Sequence, residues 1–225
     1  MRAFLRKASA ARTLLLVATA LPCFGQPVEF GVKGGIPLTE AFETGSFFLI
    51  DFGEGATSAT RRYTIGPTVE TRLPHGFGVE FDVLYKRLGF DDLTKDLGVN
   101  YSHLRTSANS WEFPVLATFR LPHLLRSDPY LESGPSFRAL SGVSATMTTT
   151  FFNGYLTTSS TSSTDGHLSD RSPYGVAAGA GLNLRFGRLH VSPEVRYTRW
   201  RQDRMLDPEL YSNPNQVEVL LGLTF

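Results

Sequence analysis

Fifteen ionisable side chains stand at alternate positions within otherwise apolar segments, and they are the residues here that could do chemistry. Eight are acids (Glu29, Glu70, Glu80, Asp82, Glu112, Glu132, Glu194 and Glu218) and seven are bases (Lys33, Arg72, Lys86, Arg120, Arg138, Arg185 and Arg196). A lone buried carboxylate is costly to keep ionised, whereas an arginine can satisfy it through two parallel hydrogen bonds. The near balance of sign therefore predicts an interior network of paired charges. Catalysis has less to stand on. The five histidines (His75, His103, His123, His167 and His190) follow no metal-ligand spacing. Only His190 falls among the alternating charges, and the trio His190, Ser192, Glu194 could relay protons in principle. Asp91, Asp92 and Asp96 lack the spacing and glycine of a calcium loop and read as a solvated loop. Gly31, Gly34 and Gly35 sit in a strand with no helix after them, so they cradle no phosphate. No catalytic residue, cofactor or metal is expected.

The elements that must position these charges are strands. A strand sends successive side chains to opposite faces, and segments of about ten residues suit a tilted strand crossing a bilayer. Eight segments keep this alternation in phase: Val28–Pro37, Tyr63–Leu73, Phe77–Leu88, Trp111–Leu121, a fifth from Tyr130, Tyr174–Phe186, Leu189–Trp200 and Gln216–Phe225. Their connections alternate in length. Pro74-His75-Gly76, Pro122–Pro129 and Gly187-Arg188 are short, while Leu38–Arg62, Gly89–Ser110, Ser141–Pro173 and Arg201–Asn215 are long and polar. Tyr63, Tyr85, Trp111, Tyr174 and Tyr197 fall at the long-loop ends of their strands; Phe30, Phe77, Phe119, Phe186 and Phe225 fall near the short-turn ends. Such sorting predicts aromatic girdles at two membrane interfaces. With lipid outside, the charged face fills the lumen, and an eight-stranded interior is only wide enough for side chains. Gly175, Ala177, Gly179 and Gly181 in the sixth segment leave room there for long neighbours.

Residues 1–25 read as a secretory signal peptide, with Arg2, Arg6, Lys7 and Arg12 before the short apolar run Thr13–Leu21. A lipoprotein signal at Cys23 is disfavoured by Pro22. Cleavage leaves 18 basic and 21 acidic residues, a net charge of −3, and removes the single cysteine. Nucleic acid is therefore not an expected partner, and disulfide or thiol chemistry is not expected either.

The last segment, Gln216-Val-Glu-Val-Leu-Leu-Gly-Leu-Thr-Phe225, has an apolar face of Val217, Val219, Leu221, Leu223 and Phe225. It resembles the terminal strand of bacterial outer-membrane barrels. Ile65-Gly66-Pro67, Trp111-Glu112-Phe113-Pro114, Ser133-Gly134-Pro135 and Glu194-Val195-Arg196-Tyr197 are similarly in the manner of small outer-membrane barrels of the OmpA/OmpX-like and PorT-like superfamily. That resemblance implies an all-β, eight-stranded antiparallel up-and-down barrel over residues 26–225, with short periplasmic turns and long extracellular loops. It also implies outer-membrane lipid as surroundings, and recognition by the barrel assembly machinery through Tyr197, Leu221, Leu223 and Phe225. The fold carries many functions. A non-enzymatic barrel presenting its loops for surface interaction or envelope integrity is the first expectation. A narrow pore or secretion-accessory barrel is the second, and a lipid-modifying enzyme the third.

One long loop carries its own signal. Thirteen of the 21 residues from Ser144 to Thr164 are Ser or Thr, the composition of a linker. Yet Asn153-Gly154 stands between β-forming residues, the pattern of a tight hairpin turn. The fifth and sixth strands are thus predicted to rise beyond the membrane as a hairpin with its tip at Asn153-Gly154, whose edge could accept an extracellular partner.

Overall fold

The computed structural model describes residues 28–42, 45–48, 52–96, 100–121, 127–152, 157–165, 174–201 and 213–225. The expected signal peptide, most of the Pro122–Pro129 turn and the Asn153-Gly154 tip lie outside the described residues. The described residues form twelve strands: β1 (Val28–Pro37), β2 (Gly45–Phe48), β3 (Phe52–Ser58), β4 (Thr64–Arg72), β5 (Phe77–Asp82), β6 (Leu84–Asp96), β7 (Asn100–Arg120), β8 (Ser127–Phe152), β9 (Thr157–Asp165), β10 (Tyr174–Phe186), β11 (Leu189–Trp200) and β12 (Asn215–Thr224).

Eight antiparallel staves close on themselves in the order β1, β4, β5 with β6, β7, β8, β10, β11, β12 and back to β1. β5 and β6 are one stave. Phe81 faces Val115 and Leu84 faces Glu112 without a change of register. The ladder breaks at Val83 because Pro67 and Pro114, which offer no N–H, stand in the neighbouring strands; Val83 N–H still reaches the Pro67 carbonyl at 3.0 Å. The seam is made by β1 and β12, with Gly31 opposite Thr224, and Phe225 N–H donates to the Phe30 carbonyl at 3.0 Å. At the short-turn end His75 (φ 64°), Gly76 (φ 83°) and Gly187 (φ 68°) adopt the left-handed backbone of tight connections.

The distribution of polarity is inside out. Phe30, Val79, Val176, Leu182, Val195, Leu221 and Phe225 stand exposed on the outer wall, while Glu80, Asp82, Arg138, Glu194 and Arg196 are buried. Aromatic rings pack laterally at both rims: Tyr63 with Tyr85 (centroids 6.3 Å apart), Tyr85 with Trp111 (5.0 Å) and Phe77 with Phe119 (5.0 Å).

Three of the segments expected as long loops contain strands. β7 runs for 21 residues and β8 for 26, about twice a membrane crossing. Above the barrel β6, β7 and β8 continue as a sheet, extended by β3 and β2 on one side and by β9 on the other. Asp91, Asp92 and Asp96, read from the sequence as a solvated loop, lie on β6. Phe152 faces Thr157 and Thr146 faces Ser163, so β8 and β9 form a ladder on either side of the Asn153-Gly154 position. The β7–β8 register slips between Ser107 and Asn109. Gly142 (φ 58°) supplies the extra residue of this bulge, which lies just beyond Trp111, where the membrane wall gives way to the external sheet.

Candidate functional site

The lumen holds its charges in three tiers. In the middle, Lys33 and Arg196 share four carboxylates. Lys33 Nζ lies 2.5 Å from Glu80 and 2.7 Å from Glu194. Arg196 reaches Glu80 (2.9 Å), Asp82 (2.8 Å), Glu132 (2.9 Å) and Glu194 (2.8 Å). The Tyr130 hydroxyl donates to Glu194 at 3.0 Å. Period-two alternation puts all of these on inner faces of β1, β5, β8 and β11, and the barrel's curvature then brings them together. β10 makes the room: a Cβ at Gly179 would lie 2.6 Å from Glu132 Oε1, and one at Gly181 would lie 2.5 Å from the Tyr130 hydroxyl.

Towards the external mouth, Arg138 donates to Glu112 Oε1 from Nε (3.0 Å) and Nη2 (2.6 Å), donates to Gln216 (2.7 Å) and stacks on Trp200 at 3.9 Å. Lys86 bridges Glu112 (2.9 Å) and Glu218 (2.7 Å), and Thr64 donates to Glu218 at 2.8 Å. Towards the short-turn end, Arg72 pairs with Glu29 at 2.6 Å and Arg120 pairs with Glu70. Arg185, expected inside the network, stands half exposed at the mouth beside Asp128. It lies two residues before the Gly187-Arg188 turn, at the short-turn end, so its guanidinium reaches solvent. Glu112 is the partner of Arg138; Glu132 and Glu194, equally open from sequence, belong to Arg196.

Asp128, Tyr130, Gln216 and Trp200 were not singled out as lumen residues. Tyr130 shares its parity with Glu132, Trp200 with Arg196, and Gln216 with Glu218, so the strand period already carried the signal for these three. Asp128 precedes the expected start of its strand at Tyr130, and only the observed start at Ser127 brings it onto the same inner face.

Two arrangements bear on catalysis. His190 Nδ1 sits 2.9 Å from Glu29 and 3.0 Å from Arg72, so its nearest partners are not Ser192 and Glu194. Glu80, Glu132 and Glu194 bring carboxylate oxygens within 4.8 Å of one another. That is a geometry for a cation, but each already lies within 2.9 Å of Lys33 or Arg196, and these side chains take the cation's place. Above the charges, Ala41, Phe42, Leu88, Phe90 and Leu140 form a buried apolar cluster, with the Phe42 and Phe90 rings 5.7 Å apart. The polar inner faces thus give way to an apolar cluster.

Among solved structures, the chain is similar to the outer-membrane protein AlkL in lipid bilayers (14% identity, TM-score 0.44, 88% of this chain and 90% of that one). It is also similar to Neisserial surface protein A (11% identity, TM-score 0.38, 89% and 97%) and to the attachment invasion locus protein Ail of Yersinia pestis with a heparin analogue (11% identity, TM-score 0.37, 88% and 99%). No curated protein matches the chain. The family model for the outer membrane protein beta-barrel domain matches residues 23–199. With its closed eight-stave barrel and apolar outer wall, the chain belongs to that family and resides in the bacterial outer membrane.

Proposed function

We propose that the protein is a sealed, non-enzymatic barrel whose work is done by the sheet it raises outside the membrane. One observation carries this reading: β7 and β8 pass through the aromatic rim without a break and continue as a six-stranded sheet. Tiers of paired charge below and an apolar cap above support a lumen that holds the staves together and conducts little. His190, held by Glu29 and Arg72, supports a structural rather than catalytic role for the interior. Outward-facing Tyr197, Leu221, Leu223 and Phe225 are the side chains through which the seam strand region would meet the assembly machinery.

The purified barrel in planar bilayers should give no stable unitary current. On intact cells, chemical cross-linking should capture extracellular partners of the full chain, and deletion of residues 146–163 should abolish them while the barrel still forms. A reproducible single-channel conductance would instead establish the narrow-pore reading. Cross-links unchanged by the deletion would remove the external sheet from the interaction.

A further inference from the structure

A repeated arrangement stands just outside the external aromatic rim. On two staves the rim tyrosine is followed, one pleat farther out on the same face, by an arginine: Arg87 beyond Tyr85 and Arg199 beyond Tyr197. On a third, Arg61 lies level with Arg87 in the turn that leads into β4, where Tyr63 N–H donates to the Arg61 carbonyl at 2.9 Å. The corresponding positions on β7, β8 and β12 are Asn109, Ser141 and Asn215. No carboxylate occupies this level among these six staves. Two residues along a strand is about 6.6 Å, and the headgroup layer adds roughly 5–7 Å beyond the hydrocarbon on each side. Arginines at this level face headgroups rather than acyl chains or bulk water.

Two of them are neighbours. Arg61 N–H donates to the Arg87 carbonyl at 3.0 Å, which sets Arg61, in the connection between β3 and β4, beside Arg87 on β6. Cross-strand neighbours have Cβ atoms about 5 Å apart, and like charges so placed repel. Neither has a carboxylate partner among the described residues. Arg87 is nevertheless held in place: it donates to Asn109 Oδ1 (2.7 Å) and Ser107 Oγ (2.9 Å), and the Tyr85 hydroxyl donates to the same Asn109 oxygen (2.9 Å). These partners are neutral, so they fix the guanidinium without cancelling its charge. The next outward-facing arginine on this side, Arg105, is three pleats beyond Trp111 and lies 3.5 Å from Asp91. An unneutralised arginine pair with one member held in place, bordering lipid-facing aromatics, matches a phosphate monoester, which accepts bidentate hydrogen bonds from guanidinium groups.

We propose that Arg61 and Arg87 clamp the phosphate of a lipid headgroup in the external leaflet. The site is independent of whatever the external sheet binds. It anchors the barrel's depth on the side where β6 and β7 leave the membrane.

The full chain in nanodiscs of phosphatidylcholine doped with phosphatidic acid provides the test, with native mass spectrometry counting the lipid retained on release. The unaltered protein should retain phosphatidic acid in preference to phosphatidylcholine. The double variant Arg61→Gln/Arg87→Gln should lower that retention by about tenfold or more. Arg105→Gln should leave it unchanged, and Arg61→Lys/Arg87→Lys should retain more than the Gln pair because it keeps the charge. Equal retention by the Gln pair and the unaltered protein overturns the proposal, as does a Lys pair that behaves like the Gln pair. Displacement of the lipid by an equal concentration of inorganic phosphate would show a free-anion site and overturn the lipid assignment.

Discussion

Replacing Arg138 tests whether the lumen is held by pairing or merely filled. Arg138 is buried and makes two hydrogen bonds to Glu112, one to Gln216, and a stacking contact with Trp200. Its tier contains two cations, Arg138 and Lys86, and two carboxylates, Glu112 and Glu218. Arg138→Met leaves one uncompensated negative charge in a dry interior, a loss of about 3–5 kcal/mol. Adding Glu112→Gln restores neutrality, because Lys86 and Glu218 remain paired at 2.7 Å. The double variant should therefore be more stable than Arg138→Met alone, with a coupling of about 1–3 kcal/mol. Equilibrium unfolding in urea from lipid vesicles gives the numbers, and the two tryptophans report on different places, Trp200 in the lumen and Trp111 at the rim. If the costs of the two single changes simply add, pairing is not what holds this tier.

Leu221 lies on the outer wall near mid-strand, 47% exposed; Leu221→Arg should cost about 2–4 kcal/mol in lipid, measured by the same unfolding experiment. Gly181→Ala places a methyl 2.5 Å from the Tyr130 ring and hydroxyl, so it should cost about 1–3 kcal/mol by overpacking and be partly relieved by Tyr130→Leu. Amide exchange in detergent should show protection from Thr146 to Phe151, where β8 is paired with β9; exchange of that whole stretch within seconds would refute the ladder.

Much of the barrel was legible because its physics is periodic. Alternation over Tyr174–Phe186 and Leu189–Trp200 gave strand limits that β10 and β11 reproduce. The same parity placed Glu80, Arg138 and Arg196 inside, since a closed sheet has only two faces. Partner identity was not legible. Whether Arg138 meets Glu112 or Glu194 depends on stagger around the barrel, which no single strand encodes. The external strands were obscured for a different reason. Thr146 and Thr148 on one face and Thr149 and Ser162 on the other are polar, so the apolar alternation that marks a strand fades there. Pro67 and Pro114 split the stave legible in the sequence as the single segment Phe77–Leu88 into β5 and β6 by hydrogen bonding alone.

The unbroken course of β8 also sets how the molecule responds to force. Its 26 residues span roughly 85 Å from Ser127 at the inner mouth to Phe152 in the external sheet. A pull on that sheet runs parallel to the strand and perpendicular to the interstrand hydrogen bonds. Such loading is shear, in which many bonds must yield together, rather than peeling, in which they open one by one. β8 is paired with β7 from Arg120–Tyr130 to Tyr101–Thr150, apart from the Gly142 bulge and a short gap at Gly134-Pro135. Tension applied at the cell surface is thus carried past the rim into the charged wall of the lumen, and the bulge is the point at which the tether can flex first.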